Sequence, residues 1–406
     1  VTKNLEGGPD ARAALTRLIT VTPDEFAAEY WGRKPLLSRA ADLGEDFTDL
    51  FSLDAVDELV ANRAIRTPFV RMANEGDLLA PARYTSPSGF GAEVGDQLDA
   101  DKVLAEFAGG ATLVLQGLHR TWEPLRDLTR TLIEELGHPA QVNAYVTPAS
   151  SRGFDPHYDV HDVFVIQIHG EKHWVIHEPV HENPLRDQPW GDRAGDVSAK
   201  AAGEPALDAT FAPGDVLYLP RGWIHSATAL GGTSIHLTIG VAALTRWDVV
   251  EQLVSALKDD PALRAPLPVG LGDLGAIVGE TVEALSASLR GSADGASVAR
   301  ALRRTVRAST RPEPVRPIST VERLESVDGA RVRWRDGLGA ALERTGTEIR
   351  IVGRTKTVSL PLEAAEAVEA LAAGTAYGAG ELPALDPASS LVVARRLVRE
   401  GILVLS

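Results

Sequence analysis

His157 and Asp159 stand two residues apart in the segment GFDPHYDVHDVFVIQIHGEKHW, residues 153–174, just ahead of an apolar β-like run. In an extended chain residues i and i+2 share a face, so an imidazole and a carboxylate at this spacing can aim at one ion. A third ligand has to arrive from elsewhere, and GDVLYLPRGWIHSA supplies His225. Two neutral imidazoles and one carboxylate make the facial donor set of non-haem Fe(II) sites, with positions left open for a co-substrate and dioxygen. These nitrogen and oxygen donors suit Fe(II) and also accept other divalent metals, so the residues alone do not choose the ion. A histidine and an aspartate by themselves read equally well as a hydrogen-bonded pair at a strand end. The distal PRGWIH decides between the two readings, because a Pro-Gly turn after DVLYLP returns a second imidazole to the first.

Lys172 is the next informative residue. Gly170-Glu171 fits a two-residue hairpin turn with glycine first, which pairs His169 with Lys172 and Gln167 with Trp174. Lys172 then opens the following strand on the side of Val165 and Gln167. The stretch from His157 to Lys172 would span about 50 Å if fully extended, so the ammonium serves the metal only if the chain folds back near Val160 to Asp162. A cation at the base of an apolar barrel suits the distal carboxylate of 2-oxoglutarate, whose other end chelates the metal.

Two formal motif matches are set aside. HEPVH at residues 177–181 satisfies H-E-x-x-H, but a zinc site of that type needs both histidines on a regular helix, and Pro179 stands between them after a β-run. GLGDLG at residues 270–275 satisfies G-x-G-x-x-G, yet the preceding APLPV makes a poor strand. His161, His169 and His173 read as strand or rim histidines. His236, in SIHLTIG, reads as a packed barrel histidine close to the site.

Around this stretch the pattern is mostly β from Gln141 to Ala243: QVNAYVTP, VFVIQIHG, KHWVIHEP, DVLYLP and SIHLTIGV are short strands separated by Gly and Pro signals, as in a sandwich or barrel. The polar stretch from His181 to Pro213 is too long for a hairpin loop and reads as a lid or binding loop. Upstream, Thr22-Pro23-Asp24-Glu25 has the makings of a capped helix start. LDAVDELVANR and EPLRDLTRTLIEELG read as amphipathic helices, the second ending at Gly137, and TPFVRMA and ATLVLQGL as strands. After Arg246 the character is helical, up to the Pro-rich joint RPEPVRPIS at residues 311–319. The rest mixes strands and helices in the manner of a winged helix.

The 406 residues, 44% hydrophobic and 24% charged, describe a folded protein of more than one domain. A formal net charge of −15 argues against non-specific nucleic-acid binding and favours cationic partners. The absence of cysteine excludes disulfides, Fe–S clusters and thiolate zinc sites. No apolar run of about eighteen residues, the length of a spanning helix, occurs, and no basic start followed by an apolar stretch is seen, so a cytoplasmic protein without membrane contact is expected.

NAYVTP, GFDPHYD, VIQIHGEKHW, LPRGWIH and SIHLTIG, in this order, resemble the JmjC/cupin-4 group of ribosomal oxygenases, which are Fe(II)- and 2-oxoglutarate-dependent protein hydroxylases. The likeness covers most of residues 20 to 245. It implies an α+β protein built on a double-stranded β-helix of the jelly-roll, cupin or JmjC type with flanking helices (residues 1–245), a helical dimerisation domain (246–310) and a winged-helix-like C-terminal domain (311–406). It implies iron on His157, Asp159 and His225, 2-oxoglutarate on Lys172, and Asn143 and Tyr145 facing the co-substrate or the target side chain. The implied partner is a basic protein, a ribosomal one, hydroxylated on arginine or histidine by a homodimer. Gly240 stands where histidine-hydroxylating members are expected to carry serine, and the room it leaves tilts the expectation toward arginine. Hydroxylation of a small metabolite and a cupin-like sensor without turnover are the alternatives. The C-terminal module, with 13 Lys/Arg and 13 Asp/Glu from Arg311 to Ser406, is not expected to bind DNA.

Overall fold

The computed structural model describes residues 13–74, 76–149, 155–267, 269–270, 273–292, 295–324 and 327–405. Gly153 and Phe154 of the H-x-D segment, and Leu271 and Gly272 of GLGDLG, lie outside the described residues. The chain divides into two units, Val1–Ala243 and Leu244–Ser406.

In the first unit the strands in chain order are β1 (Leu36–Ser38), β2 (Val70–Asn74), β3 (Asp77–Leu78), β4 (Thr85–Ser86), β5 (Gln97–Leu98), β6 (Thr112–Leu115), β7 (Ala140–Thr147), β8 (Asp162–His177), β9 (Leu207–Phe211), β10 (Val216–Leu219) and β11 (Ile224–Val241). Nine of them form one antiparallel sheet in the order β1-β10-β8-β11-β7-β6-β2-β3, with β9 added on β8, while β4 and β5 pair separately. β8 and β11 run beside each other from Val241↔Asp162 to Ile224↔His177. Each half of β8 has a different second neighbour: Val163–Ile166 pair with β10, and Lys172–Ile176 with β9. Two long strands shared between two sets of short ones are the frame of a double-stranded β-helix, as expected.

The hairpin expected at Gly170-Glu171 does not form. β8 continues through both residues, and the irregularity lies in its pairing with β11: the extra residues fall on β11 between Leu230↔Glu171 and Ile235↔His169, and on β8 between Ile235↔His169 and His236↔Gln167. Gly170 has φ +62°, and a Cβ there would lie 2.2 Å from the Thr233 carbonyl oxygen. Glycine is therefore required by a close strand-to-strand approach at a bulge. The Gln167 amide nitrogen braces it, donating to the His169 and Gly170 carbonyls and to Ser234 Oγ. The bulge also changes which residues face inward. Val163 and Val165 point into the barrel before it, Trp174 and Ile176 after it, and they share one buried cluster with Phe211, Leu217 and Leu219. Each such apolar side chain contributes about 1.5–3 kcal/mol on burial.

The helix Glu123–Leu136 covers β7. It buries Leu125, Leu128, Thr129, Leu132 and Ile133, one face at helical spacing, and ends on Gly137 in the left-handed conformation. Thr22 caps the Pro23–Glu25 turn through its hydroxyl, and the helix Leu53–Asn62 starts on the Ser52 cap. The His181–Pro213 stretch is more ordered than a lid loop: it holds a 3₁₀ turn at Trp190–Arg193, the helix Ala194–Ala201 and β9.

The second unit begins with the helix Arg246–Ala256, opened by a capping box between Thr245 and Asp248. Helices Leu274–Ser292, Gly295–Ser309 and Pro317–Leu324 follow. The later strands β12 (Arg331–Trp334), β13 (Ala341–Arg344), β14 (Glu348–Val352), β15 (Thr357–Pro361), β16 (Tyr377–Gly378) and β17 (Leu403–Leu405) make two three-stranded sheets, β16-β12-β17 and β13-β14-β15. With helices Ala365–Ala372 and Pro387–Arg399 they enclose a core that includes Val332, Ile351, Val368, Leu371 and Leu397. Among the described residues no helix is long and apolar enough to cross a membrane.

Candidate metal centre and its cavity

His157 and His225 face each other across an isolated antiparallel bridge. The His157 N–H donates to the His225 carbonyl at 3.2 Å, and the His225 N–H to the His157 carbonyl at 2.8 Å. Asp159 follows in irregular chain ahead of β8 rather than inside a regular strand, and its carbonyl accepts from the Gly222 N–H at 3.0 Å. One donor atom from each of the three side chains lies within 4.8 Å of the others. His225 Nε2 is 3.8 Å from Asp159 Oδ2, and the two imidazole centroids are 4.4 Å apart.

Each imidazole is oriented through its other nitrogen. His157 Nδ1 lies 2.7 Å from the Asp155 carbonyl, and His225 Nδ1 lies 3.1 Å from that of Trp223. A carbonyl only accepts, so both Nδ1 atoms carry protons and the Nε2 atoms are the ones turned to a metal, as in metal-binding imidazoles. Burial, reinforced by His157, pushes His225 down to about 4, which keeps its ring neutral at pH 7. For Asp159 burial works in the opposite sense, but His225, His161, His157 and Arg71 outweigh it and hold the carboxylate below its ordinary value. Two imidazole nitrogens and a carboxylate oxygen at this spacing fit a divalent ion.

The three residues open onto a cavity of about 510 Å³ that Lys172 also lines. The Lys172 ammonium donates to Thr147 Oγ1 at 3.2 Å and approaches His236 Nδ1 at 3.4 Å. Burial drives Lys172 down to about 7 and His236 well below its ordinary value. No carboxylate among the described residues pairs with this ammonium. The Tyr145 ring lies flat on His236, centroids 4.9 Å apart, and Trp174 meets His236 edge-on at 5.4 Å.

Tyr145 lines the cavity, whereas Asn143 does not. The Asn143 side-chain oxygen accepts from the Gly117 N–H at 3.0 Å, which holds it on the turn after β6. The room expected beside Gly240 is also taken: a Cβ there would fall 2.5 Å from His161 Cδ2. His169 is exposed and His173 bonds Asp208 at 2.6 Å, away from the metal residues. His177 ends β8 and His181 is not helical, so HEPVH makes no zinc-protease helix. The described part of GLGDLG leads into a helix that no described strand precedes.

Sequence reasoning missed three contributors to this cavity. Arg71 reaches it from β2, and its Nε is buried without a hydrogen-bond partner. Trp190, from the 181–213 stretch, brings its ring to 6.2 Å from that of His157. Thr147 ends β7 against Lys172. An arginine inside an apolar strand was the one visible signal, and only the pairing of β2 with β6, and of β6 with β7, shows which way it points.

Residues 119–249 match the family model of the JmjC domain, a range that contains His157, Asp159, Lys172 and His225. Over 270 residues the chain is 31% identical to Ribosomal oxygenase 1 of Gallus gallus, covering 64% of this chain and 43% of that protein. It is 29% identical to the bifunctional lysine-specific demethylase and histidyl-hydroxylase NO66 of Drosophila persimilis, covering 56% and 31%. The chain thus spans less than half the length of these curated relatives. Among solved structures, Escherichia coli ycfD covers 96% of this chain and 99% of its own at 18% identity with a TM-score of 0.55. The same protein in complex with cobalt and 2-oxoglutarate aligns at 17% identity over the same shares, with a TM-score of 0.51. The fold is that of these solved structures.

Proposed function

We propose that this chain, a JmjC-domain protein, is an Fe(II)- and 2-oxoglutarate-dependent oxygenase that hydroxylates a protein side chain in the cytoplasm. The observation that carries the reading is the pairing of a His157–Asp159–His225 donor set with the buried ammonium of Lys172 in one cavity. A buried cation without a carboxylate partner is costly. A dicarboxylate co-substrate supplies the missing charge at one end and chelating oxygens for the metal at the other. Iron bound by the three residues would supply the dioxygen chemistry. Lys172 and Thr147 would seat the distal carboxylate, Tyr145 and Trp174 would shape the wall, and the apolar Val163, Val165 and Leu219 would limit water.

The target we propose is a basic ribosomal protein, hydroxylated on histidine or arginine. The net charge of −15 and the acids Asp77 and Asp155 lining the cavity favour approach of a cationic polypeptide. Within the cavity the balance differs. The Arg71 guanidinium acts on Asp159 and Tyr145, and a fixed cation there repels an entering guanidinium and offers a donor to a neutral imidazole. His161 fills the space beside Gly240 that an arginine was expected to use. Histidine is therefore the favoured target, which also accords with the name of the fly relative. Turnover of a small metabolite remains the alternative, and a sensor without turnover has less support because the whole donor set is assembled.

For the remaining chain we infer a dimerisation element over residues 246–310 and a winged-helix-like domain over 311–406. Trp247, Val250 and Val254 on one helix, and Leu274, Val278 and Val282 on another, are exposed at helical spacing. Apolar stripes of this kind are what a second copy would cover. The balanced charge of residues 311–406 argues against duplex binding by that domain. Incubating the chain with Fe(II), 2-oxoglutarate and isolated ribosomal proteins should add one oxygen atom to one of them. If none gains mass while a small metabolite is consumed, the metabolite reading replaces this one.

A further inference from the structure

We propose that Asp162 is a positioning residue for the metal centre: its buried carboxylate clamps the turn that delivers His225 onto the segment that carries Asp159. Asp162 opens β8 three residues after Asp159 and is fully buried. Its Oδ2 accepts from Tyr218 Oη at 2.7 Å, and its Oδ1 accepts from the Arg221 backbone N–H at 3.1 Å and from Arg221 Nη1 at 3.3 Å. Tyr218 Oη in turn accepts from the Gly32 N–H at 2.8 Å. Arg221 lies in the turn between β10 and β11, four residues before His225.

The clamp acts together with two backbone contacts. Gly222, the next residue of the turn, donates to the Asp159 carbonyl, and His157 and His225 exchange both of their backbone hydrogen bonds. The turn itself is held from behind. Gly222 has φ +88°, and a Cβ there would lie 2.6 Å from the His181 carbonyl oxygen. The segment 157–162 and the turn 220–225 are thus joined at three levels, and the carboxylate is the only one of the three that a side-chain substitution can remove without touching a metal-ligand candidate.

A buried carboxylate is an expensive way to join two loops, since an apolar pair of the same volume is often as stable. What the ionic arrangement adds is direction: the carboxylate must be met by the phenol and by two Arg221 donors, so the turn has one position rather than several. Outer partners of metal ligands change metal affinity by about 10- to 100-fold when removed. Asp162 differs from the usual case in acting on the backbone that carries a ligand.

This inference rests on reading His157, Asp159 and His225 as metal ligands. The test is a Co(II) titration of the full chain, freed of metal by a chelator and followed by visible absorption, at a temperature where thermal unfolding shows each variant folded. Asp162→Asn should weaken Co(II) binding by about 10- to 100-fold and change the absorption bands of the bound ion. Tyr218→Phe, which removes one bond to the same carboxylate with little change of shape, should show a smaller loss in the same direction and serves if Asp162→Asn does not fold. Leu132→Ala, buried in the helix Glu123–Leu136, should lower the melting temperature and leave Co(II) affinity unchanged. A folded Asp162→Asn or Tyr218→Phe protein that binds Co(II) as the wild type does overturns the proposal, as does an equal loss of affinity in Leu132→Ala. A wild-type chain that takes up no Co(II) removes the metal reading itself.

Discussion

Lys172 Nζ and His236 Nδ1 lie 3.4 Å apart, two basic groups on one buried wall. Burial holds the lysine at about 7 and the imidazole lower still. Near neutral pH the ammonium is therefore only partly charged until an anion arrives. On the proposed role, 2-oxoglutarate would bind the protonated form, so its affinity should fall as pH rises above about 7, by at most tenfold per pH unit. Lys172→Arg, which stays charged, should bind with little pH dependence, and Lys172→Ala should lose about 2–5 kcal/mol of affinity. Calorimetric titration of 2-oxoglutarate into the Mn(II)-loaded chain across this range checks all three, and a pH-independent wild type would exclude the role. The same depression has a stability consequence. The unfolded chain binds the Lys172 proton between about pH 7 and about 10.4 while the folded one does not, so this residue makes stability rise with pH through that window.

Asp159→Ala removes the one anionic donor of the metal set. Its fold should survive, because the His157–His225 bridge and the Asp159 carbonyl contact are backbone bonds. Iron-dependent decarboxylation of 2-oxoglutarate should be abolished, measured as succinate formed, with circular dichroism unchanged. Full turnover in a folded variant would sink the assignment.

Gly170→Ala places a methyl group against the Thr233 carbonyl in a left-handed backbone conformation. The bulge must open to admit it, at a cost of about 1–3 kcal/mol or more. The melting temperature should drop, and because Lys172 lies two residues on, 2-oxoglutarate affinity should fall with it. An unchanged melting temperature would show that β8 takes another path here.

Arg71→Gln removes the second cation of the cavity while keeping a donor. On paired peptides differing only in the target residue, the wild type should prefer histidine to arginine, and the variant should narrow that preference, read as the ratio of kcat/KM. A ratio that the substitution leaves unmoved assigns selectivity elsewhere.

Val250→Glu places a charge in the exposed stripe of the helix Arg246–Ala256. If that stripe is covered by a second copy, sedimentation at micromolar protein should show a dimer for the wild type and a monomer for the variant. A monomeric wild type refutes the dimer.

The H-x-D pair, the distal histidine and the alternation of short strands were legible from residue types and spacing, because local extended geometry and turn residues decide them. The helix from Glu123 to Leu136 was legible for the same reason, with its apolar residues at one spacing and a glycine at its end. Lys172 lines the cavity, but the hairpin that was expected to bring it there does not exist. Glycine with positive φ serves a tight turn and a strand bulge alike, and only β11, running along both halves of β8, separates the two. Asn143 sits on the expected strand, yet its side-chain oxygen is taken by the Gly117 N–H, a partner that comes from a different turn. The space at Gly240 looked open because the sequence does not say that His161 folds over it. Arg71, Trp190, and the joining of Asp162 to Tyr218 and Arg221 depend on segments about thirty to ninety residues apart in the chain. Spacing along a chain determines which side chains share a face, whereas which faces meet is decided by the pairing of distant strands, and that pairing is a property of the assembled sheet.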